Sequence, residues 1–179
     1  MDVKDSNANG GKTIAAGSTS TNSLNNLNWT FGTVTLSLSL DTTTYNFGSL
    51  GVSVSSNSAS AIVVTNDGNG HEDFGLQASS TTSWALGTST PTSTDTFVIM
   101  GAFNSTKVST SSFTTQDVMT STSQTSSSTQ FSFPSADQTG NDVPVNATRS
   151  LWFRYDTPTS SSSQNTQTST VIITASQSP

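Results

Sequence analysis

The strongest constraint on the fold of this chain is an alternation of polar and apolar residues over positions 33–40. Single Thr or Ser residues separate four aliphatic ones, namely Val34, Leu36, Leu38 and Leu40. Successive side chains of a β-strand point to opposite faces, so a period of two predicts a strand with one buried face. Any fold of this chain must therefore accommodate a half-buried strand here.

The rest of the chain repeats short apolar runs separated by turns rich in Gly, Asn and Ser. These runs predict strands at 45–55, 58–65, 74–78, 83–86, 96–103 and 169–175, with weaker ones near 113, 129–133, 142–145 and 150–155. Residues 66–70 form a strong turn signal, and only 114–120 fits a helical turn. Closely spaced strands of this kind predict an all-β, antiparallel β-sandwich of immunoglobulin-like type, with a jelly-roll arrangement as the alternative.

Composition excludes several classes of function. The 179 residues include 36 Ser and 33 Thr but only five Lys or Arg, and the net charge is −6. Without a basic patch we expect no nucleic-acid partner, and without a long apolar run we expect no membrane insertion. The absence of cysteine rules out disulfides and thiolate chemistry, and the one histidine has no nucleophile motif around it. We expect a non-enzyme with no cofactor and no catalytic residue.

The chain divides into two regions of different character. Residues 1–28 are polar and Gly-rich, which predicts a flexible, extended N-terminal arm, and residues 29–179 carry the strands of the sandwich. A Ser/Thr-rich surface with few Lys and Glu is typical of proteins outside the cell. We therefore expect an extracellular or cell-surface location, with a leader removed.

Three segments resemble a known type of module. They are the Phe-Gly stretch at 45–50, the aliphatic run ending in Thr-Asn-Asp-Gly-Asn at 60–69, and the stretch from Leu-Trp-Phe-Arg to the final strand at 150–175. Together they resemble the immunoglobulin-like β-sandwich surface proteins of bacteria and archaea. The resemblance implies an extracellular sandwich and carries over no catalytic residues.

An internal echo, meaning a six-residue pattern that occurs twice, suggests how the chain functions. The sequence Trp-Thr-Phe-Gly-Thr-Val at 29–34 matches Tyr-Asn-Phe-Gly-Ser-Leu at 45–50. A regular strand after a polar arm is what donor-strand assembly requires, in which one subunit's strand completes the sheet of the next, as in pili. The hypothesis is a self-assembling extracellular filament, a homopolymer whose donor strand at 29–40 contributes Trp29, Phe31, Val34, Leu36, Leu38 and Leu40. The alternatives are a monomeric adhesin or carbohydrate-binding module, and a surface-layer or stalk subunit.

A few polar residues are candidate sites. Asp67, Asn69 and Asp73 are oxygen donors in a Gly-rich turn and are candidate calcium ligands, although a tight hairpin explains the same residues. Three Asn-x-Ser/Thr sequons are candidate glycosylation sites, at Asn28, Asn104 and Asn146. Glycan contact by exposed aromatic rings is a further hypothesis, with Trp29, Trp84 and Trp152 as the candidates.

Overall fold

The computed structural model describes residues 2–7, 14–16, 20–27, 29–32, 34–90 and 92–179, and the side chains of 14, 15, 30 and 31 lie outside the described part. The strands are β1 (Asp2–Val3), β2 (Ile14–Ala16), β3 (Thr21–Asn22), β4 (Trp29–Phe31), β5 (Leu38–Leu40), β6 (Ser55–Asn57), β7 (Ile62–Asn66), β8 (Glu72–Ala78), β9 (Ala85–Leu86), β10 (Thr96–Phe103), β11 (Gln124–Thr125), β12 (Thr148–Asp156) and β13 (Val171–Gln177). Two 3-10 helices span Thr110–Ser112 and Thr115–Asp117.

Two sheets form the sandwich. The larger has the strand order β5-β7-β12-β10-β9, with β6 also pairing with β12, and the smaller has the order β11-β8-β13. All these pairs are antiparallel except β9 with β10. The segment after the 3-10 helices joins the two sheets along one side, because Met119 N donates to Ile99 O and Ala78 N donates to Thr120 O. The sandwich is thus closed on the β10 side.

The main hydrophobic core lies between the sheets. It follows from period-2 alternation, since every second residue of β7, β8, β10 and β12 points inward. Its buried members are Ile62, Val64, Phe74, Leu76, Ala78, Phe97, Ile99, Phe103, Met119, Phe131, Val143, Leu151 and Phe153. A second cluster covers the outer face of β10, where Val98, Met100 and Ala102 pack against Val108, Phe113 and Val118. Strand β10 is therefore apolar on both faces.

The prediction of an all-β sandwich is confirmed, while the immunoglobulin-like arrangement of its strands stays a prediction. The predicted strands at 45–55 and 129–133 are largely wrong. Gly48, Ser53 and Phe131 have φ values of 73°, 57° and 56°, which a strand does not tolerate. Only the last residue of the first segment, Ser55, belongs to a strand, β6, and the second segment is a turn. The weak prediction near 113 gives way to the two 3-10 helices, and the one at 142–145 to a single bridge between Val143 and Glu72.

The N-terminal region differs from the predicted flexible arm in the residues that the structure describes. Strand β1 pairs in parallel with β3, and β2 pairs in parallel with β4. The Asn26 side chain ties the segment after β3 to the segment of β1, because Ser6 N donates to its Oδ1 at 3.0 Å and its Nδ2 donates to Val3 O at 2.7 Å. Strand β4 thus pairs with a strand of the N-terminal region, and the domain boundary at residue 29 stays a prediction.

Candidate functional site

A groove of about 840 Å3 lies at one end of the sandwich. Its floor is the inner face of the larger sheet, at Ile99, Phe153 and Tyr155. One wall is the segment 45–50 and the other is the segment 164–171, which leads into β13. The groove therefore opens the core of the sandwich at the point where β13 begins.

The hydrogen bonds of β8 show which way its backbone groups point. Ser126 N donates to Phe74 O at 2.8 Å on the β11 side. On the other side, Ser79 N donates to Thr170 O at 3.0 Å. Because successive backbone groups of a strand point to opposite edges, even-numbered residues of β8 bond toward β11 and odd-numbered residues bond toward β13.

This pattern defines an open edge on β13. Ala78 lies opposite Val171 in the register, so the backbone N–H and C=O groups of Val171, Ile173 and Ala175 point away from β8. Within the described part of the chain no strand pairs with that edge. The same three side chains face the core, yet all are only half-buried. An unpaired, regular edge of seven residues is a template for another strand.

The wall at 164–171 is held firmly by side chains. Gln167 Oε1 accepts hydrogen bonds from Thr81 Oγ1 at 2.6 Å and from Ser83 N at 3.2 Å. Trp84, which also lines the groove, donates its indole N–H to Ser161 Oγ at 2.8 Å. These contacts fix the wall beside β13 in place.

The opposite wall, residues 45–50, is held mainly by aromatic packing. Tyr45 and Phe47 lie edge to face with ring centroids 4.8 Å apart, and Phe47 lies 5.4 Å from Tyr155. No hydrogen bond joins the backbone of residues 45–50 to a strand of the described part, and Gly48 N bonds only locally, to Asn46 Oδ1. This wall is therefore the more easily displaced of the two.

The groove carries no charge. All twenty lining residues are described, and they are aromatic, aliphatic, hydroxyl or amide residues. Tyr155 stacks on Phe97 at 5.2 Å, and burial raises the pKa of its phenol well above the usual range, so the ring stays neutral. The groove offers no carboxylate or imidazole for proton transfer, and its surface suits an uncharged polar and aromatic ligand.

The structure splits the predicted donor segment into two parts. Leu38 and Leu40 lie in β5, where they pair with β7 of the same chain and pack against the main core. Leu36 is 40% exposed and Val34 is half-buried. Trp29 and Phe31 lie in β4, and the side chain of Phe31 is outside the described part. Residues 38–40 thus pair within the sheet of their own chain, and the donor role of residues 29–40 stays a prediction.

The candidate calcium ligands form a hairpin instead of a cage. Asn69 Oδ1 accepts a hydrogen bond from Thr35 N at 2.8 Å, and Asp73 Oδ1 accepts one from Asp142 N at 2.7 Å. Asp67 is exposed at the same turn. In the described part no three carboxylate or imidazole groups come together. The hairpin alternative explains these residues.

The three sequons differ in accessibility. Asn28 lies outside the described residues. Asn104 is 7% exposed, and its Nδ2 donates to Thr106 O at 3.0 Å, so the folded chain presents no free amide there. Asn146 is exposed in a loop with a φ of 62°. Of the two described sequons, only Asn146 has the exposure that a glycan requires.

The tryptophans predicted to contact glycans have different surroundings. Trp152 packs against the second cluster, and its Nε1 donates to Asn104 O at 2.9 Å, so it is no free platform. Trp29 is half-buried and bonds to Ser6 Oγ at 3.2 Å. Trp84 alone reaches the groove. The echo singled out residues 45–50, which form one groove wall. No sequence signal in the Ser/Thr/Gln run identified Gln167, which lies in the other wall.

Comparisons with family models, curated proteins and solved structures find no match to this chain. Among the described residues, no helix has the length and apolar character needed to cross a membrane. The site itself must therefore carry the functional argument.

Proposed function

We propose that this chain is a structural subunit that assembles with copies of itself by β-strand addition at the open edge of β13. The observation that carries the proposal is the coincidence of that edge with the uncharged groove. An incoming strand would pair with the backbone groups of Val171, Ile173 and Ala175 while it places alternate side chains over Phe153 and Tyr155.

The composition of the chain favours a second copy as the occupant. The groove is lined by uncharged residues, and the chain itself is rich in Ser, Thr and aliphatic residues with only 9% charged residues. An alternating Ser/Thr and aliphatic strand from another copy matches both the polar rim and the apolar floor. Such a contact joins two different surfaces, so it repeats into an open filament.

The remaining parts of the proposal follow from the same chemistry. The groove has no acid, base or nucleophile in a catalytic arrangement, which supports a structural role over an enzymatic one. An extracellular, immunoglobulin-like filament subunit agrees with the resemblance of residues 45–175. In a filament the open edge of β13 pairs with a strand of the next subunit along the axis. A monomeric adhesin or a laterally packed surface-layer subunit would leave this edge without such a strand.

The proposal is tested with proline at the first residue of β13. Proline is tolerated where a strand begins but has no N–H, so Val171→Pro removes an outward donor while it keeps most of the apolar volume. We expect the native protein to form particles far larger than 18.6 kDa and Val171→Pro to remain monomeric, as measured by analytical ultracentrifugation and electron microscopy.

Val171→Ala is the matched control, because it loses more apolar area but keeps the N–H. It should still assemble, and both variants should show the far-UV spectrum of the native fold. A native protein that stays monomeric over a wide range of concentrations would refute the proposal, as would normal assembly of Val171→Pro.

A second candidate function rests on the aromatic and amide lining of the groove. Trp84, Tyr45 and the amides at 164–167 are the residue types that bind neutral sugars. This function predicts saturable binding of a neutral oligosaccharide by the monomer. The binding would be lost in Trp84→Ala and kept in Trp152→Ala, as measured by calorimetry.

A further inference from the structure

We infer that the donor is the segment 29–34 of a second copy, and that it displaces residues 45–50, the groove wall that pairs with no strand and that we call the plug. The inference rests on the proposed function. It identifies the partner segment by the echo between the two stretches and by their places at opposite ends of the sandwich.

The donor segment joins the sandwich at the end opposite the groove. Thr35 N donates to Asn69 Oδ1 at 2.8 Å, and Asn69 N donates to Thr35 O at 3.1 Å, within the hairpin between β7 and β8. The groove lies at the other end of β8, where Ala78 is opposite Val171. Six residue steps of a strand separate these ends, a distance of about 20 Å.

This separation excludes the chain's own groove as the target. A segment of six residues spans at most about 20 Å when fully extended. Residues 29–34 would be used up in reaching the groove and could not lie along β13. In a second copy stacked end to end, the same segment emerges directly opposite the groove, so the donor and acceptor ends define a head-to-tail polymer.

The plug forms its wall of the groove without the backbone hydrogen bonds of a strand, although the Tyr45 hydroxyl accepts a hydrogen bond from Ala59 N. Tyr45 and Phe47 pack against the main core, whereas the backbone of 45–50 pairs with no strand of the described residues. A segment with packing but few backbone hydrogen bonds opens at low free-energy cost. It packs against one side of the floor, where Phe47 contacts Tyr155, and can leave without breaking a sheet.

The echo makes residues 29–34 chemically similar to the wall that residues 45–50 form. Trp29 corresponds to Tyr45, Phe31 to Phe47, and Gly32 to Gly48. Trp29 buries more area than a tyrosine, but on transfer β4 would give up its pairing with β2 and Trp29 its bond to Ser6 Oγ. Pairing with β13 adds backbone hydrogen bonds that the plug lacks. The donor therefore outcompetes the plug when the subunit concentration is high.

Three full-length variants test the exchange by opposite effects on assembly. Phe31→Ser removes the apolar anchor of the donor, so it should remain monomeric at concentrations at which the native protein assembles. Phe47→Ser weakens the plug, so its assembly should be faster than that of the native protein. The double variant Phe31→Ser/Phe47→Ser should remain monomeric, because growth of specific polymers still requires the donor. Light scattering measures all three rates.

The control is Leu24→Ser, which removes an apolar side chain that is 71% exposed in the N-terminal unit but lies outside the echo. It should assemble at the native rate. If native protein and Phe31→Ser assemble equally, another segment is the donor: this inference fails and the proposed function stands. If the double variant grows as fast as Phe47→Ser, the growth is nonspecific aggregation and the plug is refuted. If no protein in the series assembles, the proposed function fails too.

Discussion

Asp117 shows how a single buried acid links stability to pH. It caps the second 3-10 helix, where its Oδ2 accepts from Thr114 N at 2.7 Å and from Thr114 Oγ1 at 3.1 Å. Asp117 is fully buried and directly precedes Val118 of the second hydrophobic cluster. Burial raises the pKa of Asp117 from 3.8 to about 6, against the opposing effect of the Thr114 bonds.

The sign of the pH dependence follows from this pKa. Between about pH 4 and pH 6 the folded state binds the proton and the unfolded state does not, so stability falls as the pH rises through this window. The raised pKa of Glu72, caused first by burial, acts in the same direction. Above pH 6 the ionised Asp117 destabilises the fold by up to about 3 kcal/mol.

We therefore predict that Asp117→Asn gains stability relative to the native chain as the pH rises. Asparagine keeps an acceptor for Thr114 but cannot ionise. In urea unfolding at pH 4 and pH 7.5, the difference in unfolding free energy between variant and native chain should shift toward the variant by about 2–3 kcal/mol. A difference that does not change with pH would show that Asp117 is not the group responsible.

Gly140 is a residue whose lack of a side chain the packing requires. A Cβ there would lie 2.5 Å from Phe103 Cε2, and that ring is itself packed at 6.0 Å from Phe74. We predict that Gly140→Ala lowers the unfolding free energy by about 1–3 kcal/mol through overpacking. Gly51→Ala, whose Cβ meets only Val54 Cγ2 at 3.8 Å, should change it by less than about 0.5 kcal/mol. Equal losses would contradict this account.

At the scale of elements, periodicity predicted the strands that the core specifies. The prediction at 96–103 matches β10, and those at 150–155 and 169–175 overlap β12 and β13, because alternating or continuous apolar runs there face a core on one or both sides. The run at 45–55 has apolar residues at the same spacing, yet it turns at Gly48 and Ser53. The sign of the φ angle at a single residue cannot be read from the pattern of hydrophobicity.

The groove could be predicted only in part, because the local sequence pattern does not show which segments pair in the tertiary structure. The echo marked 29–34 and 45–50 as equivalent segments, but which of them would enter the sheet depends on tertiary pairing. Leu38 and Leu40 entered their own sheet because Val64 and Asn66 of β7 supplied a neighbour closer in sequence than any second subunit. Local pairing of this kind has a lower entropic cost of loop closure.

The N-terminal parallel unit is a separate element in energetic terms. Both hydrophobic clusters, as far as the side chains of the chain are described, consist of residues from Leu38 onward, so the described side chains of the unit contribute to neither. We predict that a chain lacking residues 1–28 unfolds within about 2 °C of the full-length melting temperature. Circular dichroism measures this, with unfolding followed in the monomeric Val171→Pro background. A drop of more than about 5 °C would show that the unit supports the sandwich.

At the scale of the whole molecule, a donor at one end and a groove at the other make assembly directional. Two variants separate these ends: Phe31→Ser has an intact groove without a donor, and Val171→Pro has an intact donor without an acceptor edge. Each should be monomeric alone. An equimolar mixture can form one contact, from the Val171→Pro donor to the Phe31→Ser groove, and that contact leaves both outer ends inactive.

The mixture should therefore stop at a dimer of twice 18.6 kDa, about 37 kDa, in analytical ultracentrifugation. If both partners instead associated through identical surfaces, each variant would bring its own defect to every contact. Mixing the two variants would then create no intact contact and no dimer of this size. Growth beyond the dimer would show a second route of assembly. A mixture that stays monomeric would show that residues 29–34 and the edge of β13 do not meet.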